Sequence, residues 1–158
     1  GRAQADDRAQ GDVFKTAPAF GEFDKDLLGS VIPYIDSHYP TLADADHRAL
    51  AGLSMGGGQS LNFGLGNPDT FHWIGGFSSA PNTFSPVKLV PDAEKLKVLR
   101  FLWVSCGDQD GLITISRNVH KFLAEKKVPH VYHVDSGAHT WPVWKNDLYL
   151  FTQRIFTK

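Results

Sequence analysis

The sequence predicts an α/β domain, a parallel sheet flanked by helices. Three observations carry that expectation. Short apolar runs alternate with segments of helical periodicity along most of the chain. The runs of strand type end in turns rich in Gly, Ser or Asp. The chain has 158 residues, the size of one domain, with 42% hydrophobic and 21% charged residues. Strands alternating with helices make βαβ units, and right-handed crossovers leave their strands parallel.

The elements follow in order. Residues 1–22 are polar and lack a sustained period, so they read as a surface loop. Phe23, Leu27, Leu28, Val31, Ile32 and Ile35 fall at helical spacing and mark an amphipathic helix over 24–38, with Pro33 as a point of kinking. Tyr39-Pro40 ends it, and 41–46 is an acidic connector. A strand over 47–53 leads to a helix over 55–65, which Gly66-Asn67-Pro68 stops. A second strand covers 71–77. Residues 81–92, with Pro81, Pro86 and Pro91, form a long loop. A short helical piece over 92–97 precedes a strand over 99–105. Gly107 to Gly111 is a turn, and Leu112, Ile115, Val119, Phe122 and Leu123 mark the next helix. Val131 to Val134 is the fourth strand, 136–139 a loop, and the last helix spans 142–156.

Ala49 to Gly58 carries the chemistry. An apolar strand runs into Gly52-Leu53-Ser54-Met55-Gly56, and a helix-compatible run follows. That is the pattern of a serine held on a sharp strand-to-helix turn. A hydroxyl is a weak nucleophile and needs a base within reach, so it must project from the turn. Gly52 and Gly56 are expected where strand and helix backbones come close. The Met55 N–H lies in the first helical turn, free to point at a developing oxyanion. In parallel sheets, sites lie beyond the carboxyl ends of the strands. Ser54, the pair Asp108/Asp110 and His139 each follow a strand end, so all meet at one sheet edge. His139 is the expected base, and Asp108 and Asp110 compete to orient it. The one left over is a turn or capping residue.

Composition excludes other classes. Net charge is −1, which suggests no nucleic-acid or anionic-membrane partner. No apolar run is long enough to span a bilayer, and the polar opening does not read as a signal peptide. A single cysteine, Cys106, rules out an intrachain disulfide and reads as a small buried residue. His130 and His133 are spaced for one strand and point only weakly to a metal, and the other histidines besides His139 read as surface or helix-end residues. Trp141 is a candidate pocket wall for an aromatic or sugar ring, whereas Trp103 and Trp144 read as core anchors. Ser78 and Ser79 lie at the same sheet edge and are candidates for a supporting role.

Three motifs now occur together and in order: Gly52-Leu53-Ser54-Met55-Gly56-Gly57, Cys106-Gly107-Asp108-Gln109-Asp110-Gly111-Leu112-Ile113, and Gly137-Ala138-His139-Thr140-Trp141-Pro142-Val143-Trp144. They resemble the esterase-D/carbohydrate-esterase-family-1 group of α/β hydrolases, which holds bacterial feruloyl esterases and acetyl xylan esterases. The resemblance runs from the helix at 24–38 to the end. It implies a triad of Ser54, His139 and Asp110, the last aspartate of the Cys-Gly-x-x-Asp stretch. It implies a serine carboxylesterase acting on feruloyl or acetyl esters of plant cell-wall xylan, without metal or organic cofactor, in a secreted or periplasmic location. S-formylglutathione hydrolases and acyl or mycolyl transferases are alternatives within the same class. A non-catalytic binding module on this fold is the alternative outside it.

The resemblance also implies that 1–158 is the C-terminal part of one α/β-hydrolase domain. Members of the group carry several further strands before the helix at 24–38, and the second oxyanion donor comes from a loop among them. The N-terminal half of the domain, from the same gene or a second chain, is therefore an expected partner. Alone, the chain is expected to be poorly soluble and weakly active.

Overall fold

A computed structural model of the protein describes residues 17–157. The part of the expected first loop in 1–16 lies outside the described residues. Residues Ala17–Glu22 form a 3-10 helix rather than loop. Tertiary docking explains this where periodicity gave no sign: the Gln59 amide donates to the Phe20 carbonyl, and the Phe23 ring packs 6.5 Å from Phe63.

The expected helix over 24–38 is a continuous run in three parts. These are α1 (Phe23–Asp26), a wide π turn (Leu27–Val31) and α2 (Ile32–His38). Pro33 lies in the first turn of α2 and has no N–H to donate to the preceding turn, which is where the helix widens. Tyr39 turns extended before Pro40 and ends the run.

Strand β1 (Ala49–Leu53) starts two residues later than the sequence suggests. Residues Ala45–His47 are a 3-10 turn instead, because the Asp44 carboxylate accepts from the His47 N–H at 3.1 Å. Helix α3 (Met55–Gly66) follows directly. Strand β2 (Trp73–Phe77) also starts two residues late. Phe71 is buried in the core, and His72 holds Asp46, which Arg100 also pairs at 2.9 Å. His72 is thus a part-buried hydrogen-bond partner of Asp46 at the amino edge of the sheet, not a plain surface residue.

The expected loop over 81–92 contains a short helix, α4 (Pro86–Leu89), begun by Pro86 with its preset φ. A 3-10 helix (Glu94–Val98) leads to β3 (Phe101–Gly107), displaced two residues along the chain from the expected strand. Helix α5 (Ile113–Glu125), strand β4 (Val131–Asp135) and helix α6 (Trp141–Thr152) complete the order. Helix α6 stops four residues short of the expected end.

The four strands form one parallel sheet in the order β1-β2-β3-β4. One face packs on α3 and α5 through Leu61, Ile74, Leu102, Val104, Val119 and Leu123, all 2% exposed or less. Each contributes about 1.5–3 kcal/mol by leaving water. The other face packs on α6 through Phe77, Trp103 and Phe151. The outer edges of β1 and β4 have no partner strand among the described residues. No helix among the described residues is long and apolar enough to cross a membrane.

Candidate active site

Ser54 sits between β1 and α3 with φ 53 and ψ −119, a left-handed conformation for a residue with a side chain. Backbone bonds on both sides hold it there. Its N–H donates to the Phe77 carbonyl at 2.9 Å, and its carbonyl accepts from Gly58 and Ala80 at 3.1 and 3.0 Å. Gly52 allows the close approach: a Cβ there would lie 2.5 Å from the Gly56 carbonyl oxygen. Gly56, expected to share that role, has open space at its own Cβ position. The second tight position is Gly57, whose Cβ would lie 2.8 Å from the Phe77 carbonyl oxygen.

His139 stands on the loop between β4 and α6. Its Nε2 is 3.0 Å from Ser54 Oγ and its Nδ1 is 2.8 Å from Asp110 Oδ2. A carboxylate only accepts, so Nδ1 carries the proton and Nε2 is left to accept from the serine hydroxyl. Asp110, on the turn after β3, is 2% exposed, and its Oδ1 accepts from the Leu112 N–H at 2.8 Å. Burial pushes the Asp110 carboxyl up. The Leu112 N–H, His139 and the Ser78 hydroxyl outweigh that and hold it below the ordinary carboxylate value.

Asp108 does something else. It is exposed, and its Oδ1 accepts from the Gly137 N–H at 2.8 Å, which ties the turn after β3 to the loop that carries His139. Gln109 N–H to Gly137 carbonyl, at 2.9 Å, closes the same tie. Met55 opens α3, so its N–H has no acceptor within the helix. Trp141 is 64% exposed and lines a 240 Å³ apolar pocket beside the turn with Leu53, Phe77, Trp144 and Leu148. Trp144 is not only a core anchor: its ring meets the His139 imidazole edge-on at 4.7 Å.

Sequence reasoning missed several supports. Asn82 donates to the Met55 carbonyl at 2.8 Å, while Asn62 donates to the Asn82 carbonyl and accepts from the Phe84 N–H. These bonds fasten the proline-rich segment to α3, and no local pattern announces them. Ser78, which the sequence did single out for a supporting role, has φ 45, is fully buried and lies between Asp110 and the Cys106 thiol, whose Sγ is 3.7 Å from Ser78 Oγ. Burial pushes that thiol up to about 11, which leaves it inert as a nucleophile. Ser79 Oγ, by contrast, has no hydrogen-bond partner among the described residues.

A hydroxyl, an imidazole and a buried carboxylate in one hydrogen-bonded line can move a proton off the hydroxyl as it attacks a carbonyl. Comparison with known proteins agrees in class. The model of the esterase family described as "Putative esterase" matches residues 3–154. The chain belongs to this esterase family. An endo-1,4-beta-xylanase/feruloyl esterase of Xylanibacter ruminicola is 30% identical over 135 residues, which is 85% of this chain and 18% of that protein. A CE1 ferulic acid esterase of the anaerobic fungus Anaeromyces mucronatus superposes with a TM-score of 0.79 at 21% identity, covering 99% of this chain and 60% of that one. A second ferulic acid esterase structure gives 0.76 at 26% identity, over 86% and 62%. The esterase chain therefore spans less than two thirds of these relatives, and its fold is that of the α/β-hydrolase esterases.

Proposed function

We propose that this esterase-family chain carries the nucleophile, base and acid of a serine carboxylesterase. The observation that supports it is the unbroken line Ser54 Oγ–His139 Nε2, His139 Nδ1–Asp110 Oδ2 at the carboxyl edge of the sheet. Ser54 attacks the ester carbonyl as His139 takes its proton. His139 then gives that proton to the leaving alcohol, and an acyl-enzyme remains. Water, deprotonated by His139, releases the acid and restores Ser54. Asp110 stabilises the imidazolium in both halves. The Met55 N–H is one oxyanion donor. The second comes from further strands that pair with the free edge of β1, supplied by the N-terminal half of the domain from the same gene or a second chain. No step calls for a metal or organic cofactor.

The substrate we propose is a feruloyl or acetyl ester on xylan, met outside the cell or in the periplasm. The curated relative's name joins a xylanase to a feruloyl esterase. The exposed indole of Trp141 offers a flat apolar wall to a phenolic or sugar ring. The test is hydrolysis of methyl ferulate and of acetylated xylo-oligosaccharide by the full gene product. Ser54→Ala is expected to lower kcat by about 10⁴-fold or more. Trp141→Ala is expected to raise KM with little change in kcat. Equal rates for wild type and Ser54→Ala would overturn the reading.

A further inference from the structure

The sheet face under α6 holds a second group of ionisable side chains, apart from the Ser54 site. Alternation along β4 sends His133 and Asp135 to one face, and α6 lays Asp147 over them. One donor atom from each of the three lies within 4.8 Å of the others. His133 Nε2 and Asp135 Oδ1 are 3.4 Å apart. Asp147 is 0% exposed, and neither of its oxygens has a hydrogen-bond partner among the described residues. Burial pushes the Asp147 carboxyl up to about 6, with the Ser105 and Trp103 donor groups opposing it more weakly, and among the described residues no hydrogen bond closes from either. Among the described residues His133 Nε2 lacks a hydrogen-bond partner too. Buried carboxylates are normally hydrogen-bonded, paired or hold a metal, and among the described residues no lysine or arginine pairs with this one.

We propose that His133 Nε2, Asp135 Oδ1 and an Asp147 oxygen bind one divalent cation of the Zn²⁺ class, with water as fourth ligand. One imidazole nitrogen and two carboxylate oxygens are a donor set that suits such an ion. Ligands at about 2.0–2.2 Å from a tetrahedral ion lie about 3.4 Å apart, the spacing His133 and Asp135 already have. Asn146 Nδ2 donates to Asp135 Oδ2 at 2.6 Å, which occupies one oxygen and leaves Oδ1 toward His133. The His133 and Asp135 side chains are 30% and 24% exposed, so an ion has a way in from solvent. The ligands sit on β4 and α6, the two elements that flank the His139 loop. A bound ion fastens both ends of that loop and takes no part in ester cleavage.

The experiment is equilibrium dialysis of the chelator-stripped full chain against Zn²⁺, with Mg²⁺ and Ca²⁺ alongside, followed by elemental analysis and thermal melting. One Zn²⁺ per chain and a rise in Tm are expected. Asp147→Asn, which keeps the shape, and His133→Gln should each weaken binding by at least about tenfold. His120→Gln with His130→Gln, a pair whose rings already hydrogen-bond at 2.8 Å, should leave binding unchanged. If Asp147→Asn does not fold, Asp135→Asn on the more open rim serves in its place. No Zn²⁺ on the folded wild-type chain overturns the proposal. So does binding that survives Asp147→Asn, binding that depends on the His120–His130 pair, or Mg²⁺ and Ca²⁺ held as tightly as Zn²⁺.

Discussion

Asp108 and Asp110 stand two residues apart and do different work. Asp110 holds the imidazole through its Oδ2, and Asp108 holds the loop through the Gly137 N–H. Asp110→Asn keeps the shape but offers an amide N–H or carbonyl where the imidazole needs a charged acceptor. By analogy with other triads it should cost about 10⁴-fold in kcat. Asp108→Asn keeps an acceptor for Gly137 and should leave kcat within a few-fold, so steady-state kinetics of the two variants separate orientation of the base from anchoring of the loop. Equal losses would contradict this division. The buried Asp110 also shapes acid stability. Its carboxyl is held below 3.8 in the folded chain, so it stabilises the native state above that pH and the contribution is lost as pH falls below it. Urea midpoints measured from pH 6 downward should converge for wild type and Asp110→Asn, and parallel curves would count against the assignment.

The turn between β1 and α3 shows what spacing along the chain does and does not reveal. The order of strand, serine turn and helix was legible because each segment has its own period and its own stop. So was the meeting of Ser54, the pair Asp108/Asp110 and His139 at one edge, because parallel strands bring all their carboxyl ends to the same side, whereas the choice of Asp110 came from the family resemblance. Strand starts were not legible. The start of β3 is set by bonds to a distant part of the chain: the N–H groups of Arg100, just before the strand, and Phe101, its first residue, both donate to the His72 carbonyl. The same limit applies to Asn62, Asn82 and Asp147, whose surroundings come only from packing. Even the glycines divide in a way the motif does not state. Gly57→Ala would drive a Cβ to 2.8 Å from the Phe77 carbonyl oxygen, and should destabilise by about 1–3 kcal/mol. Gly56→Ala meets nothing within 4 Å and should stabilise by about 0.5–1 kcal/mol through helix propensity. Denaturant unfolding of the two single variants tests this, and a reversed order would show that the turn relaxes in a way the packing does not suggest.

Among the described residues the sheet of the whole molecule has two edges without a partner strand, those of β1 and β4. On β4, Val134 is 42% exposed, while His133 and Asp135 turn to the face under α6. Beside β1 lies a groove of about 490 Å³ whose walls include Leu27, Val31, Ile32, Ile35, Leu50 and Phe71. Val31 and Ile35 are 43% and 40% exposed, and Tyr34, Tyr39 and Leu42 nearby are more exposed still. An unpaired strand next to an apolar groove is a template for another strand. The 158-residue chain by itself should therefore self-associate, and sedimentation velocity should show a mean mass that climbs with concentration. Val31→Lys with Ile35→Lys puts charge into the groove and should shift the chain toward monomer, while the same charges at Val134 beside β4 should change little. Strands of the N-terminal half, supplied in cis or as a second chain, should cover β1, abolish the association and raise ester turnover together. A chain that stays monomeric across a wide concentration range and is fully active alone would show that the β1 edge needs no such cover.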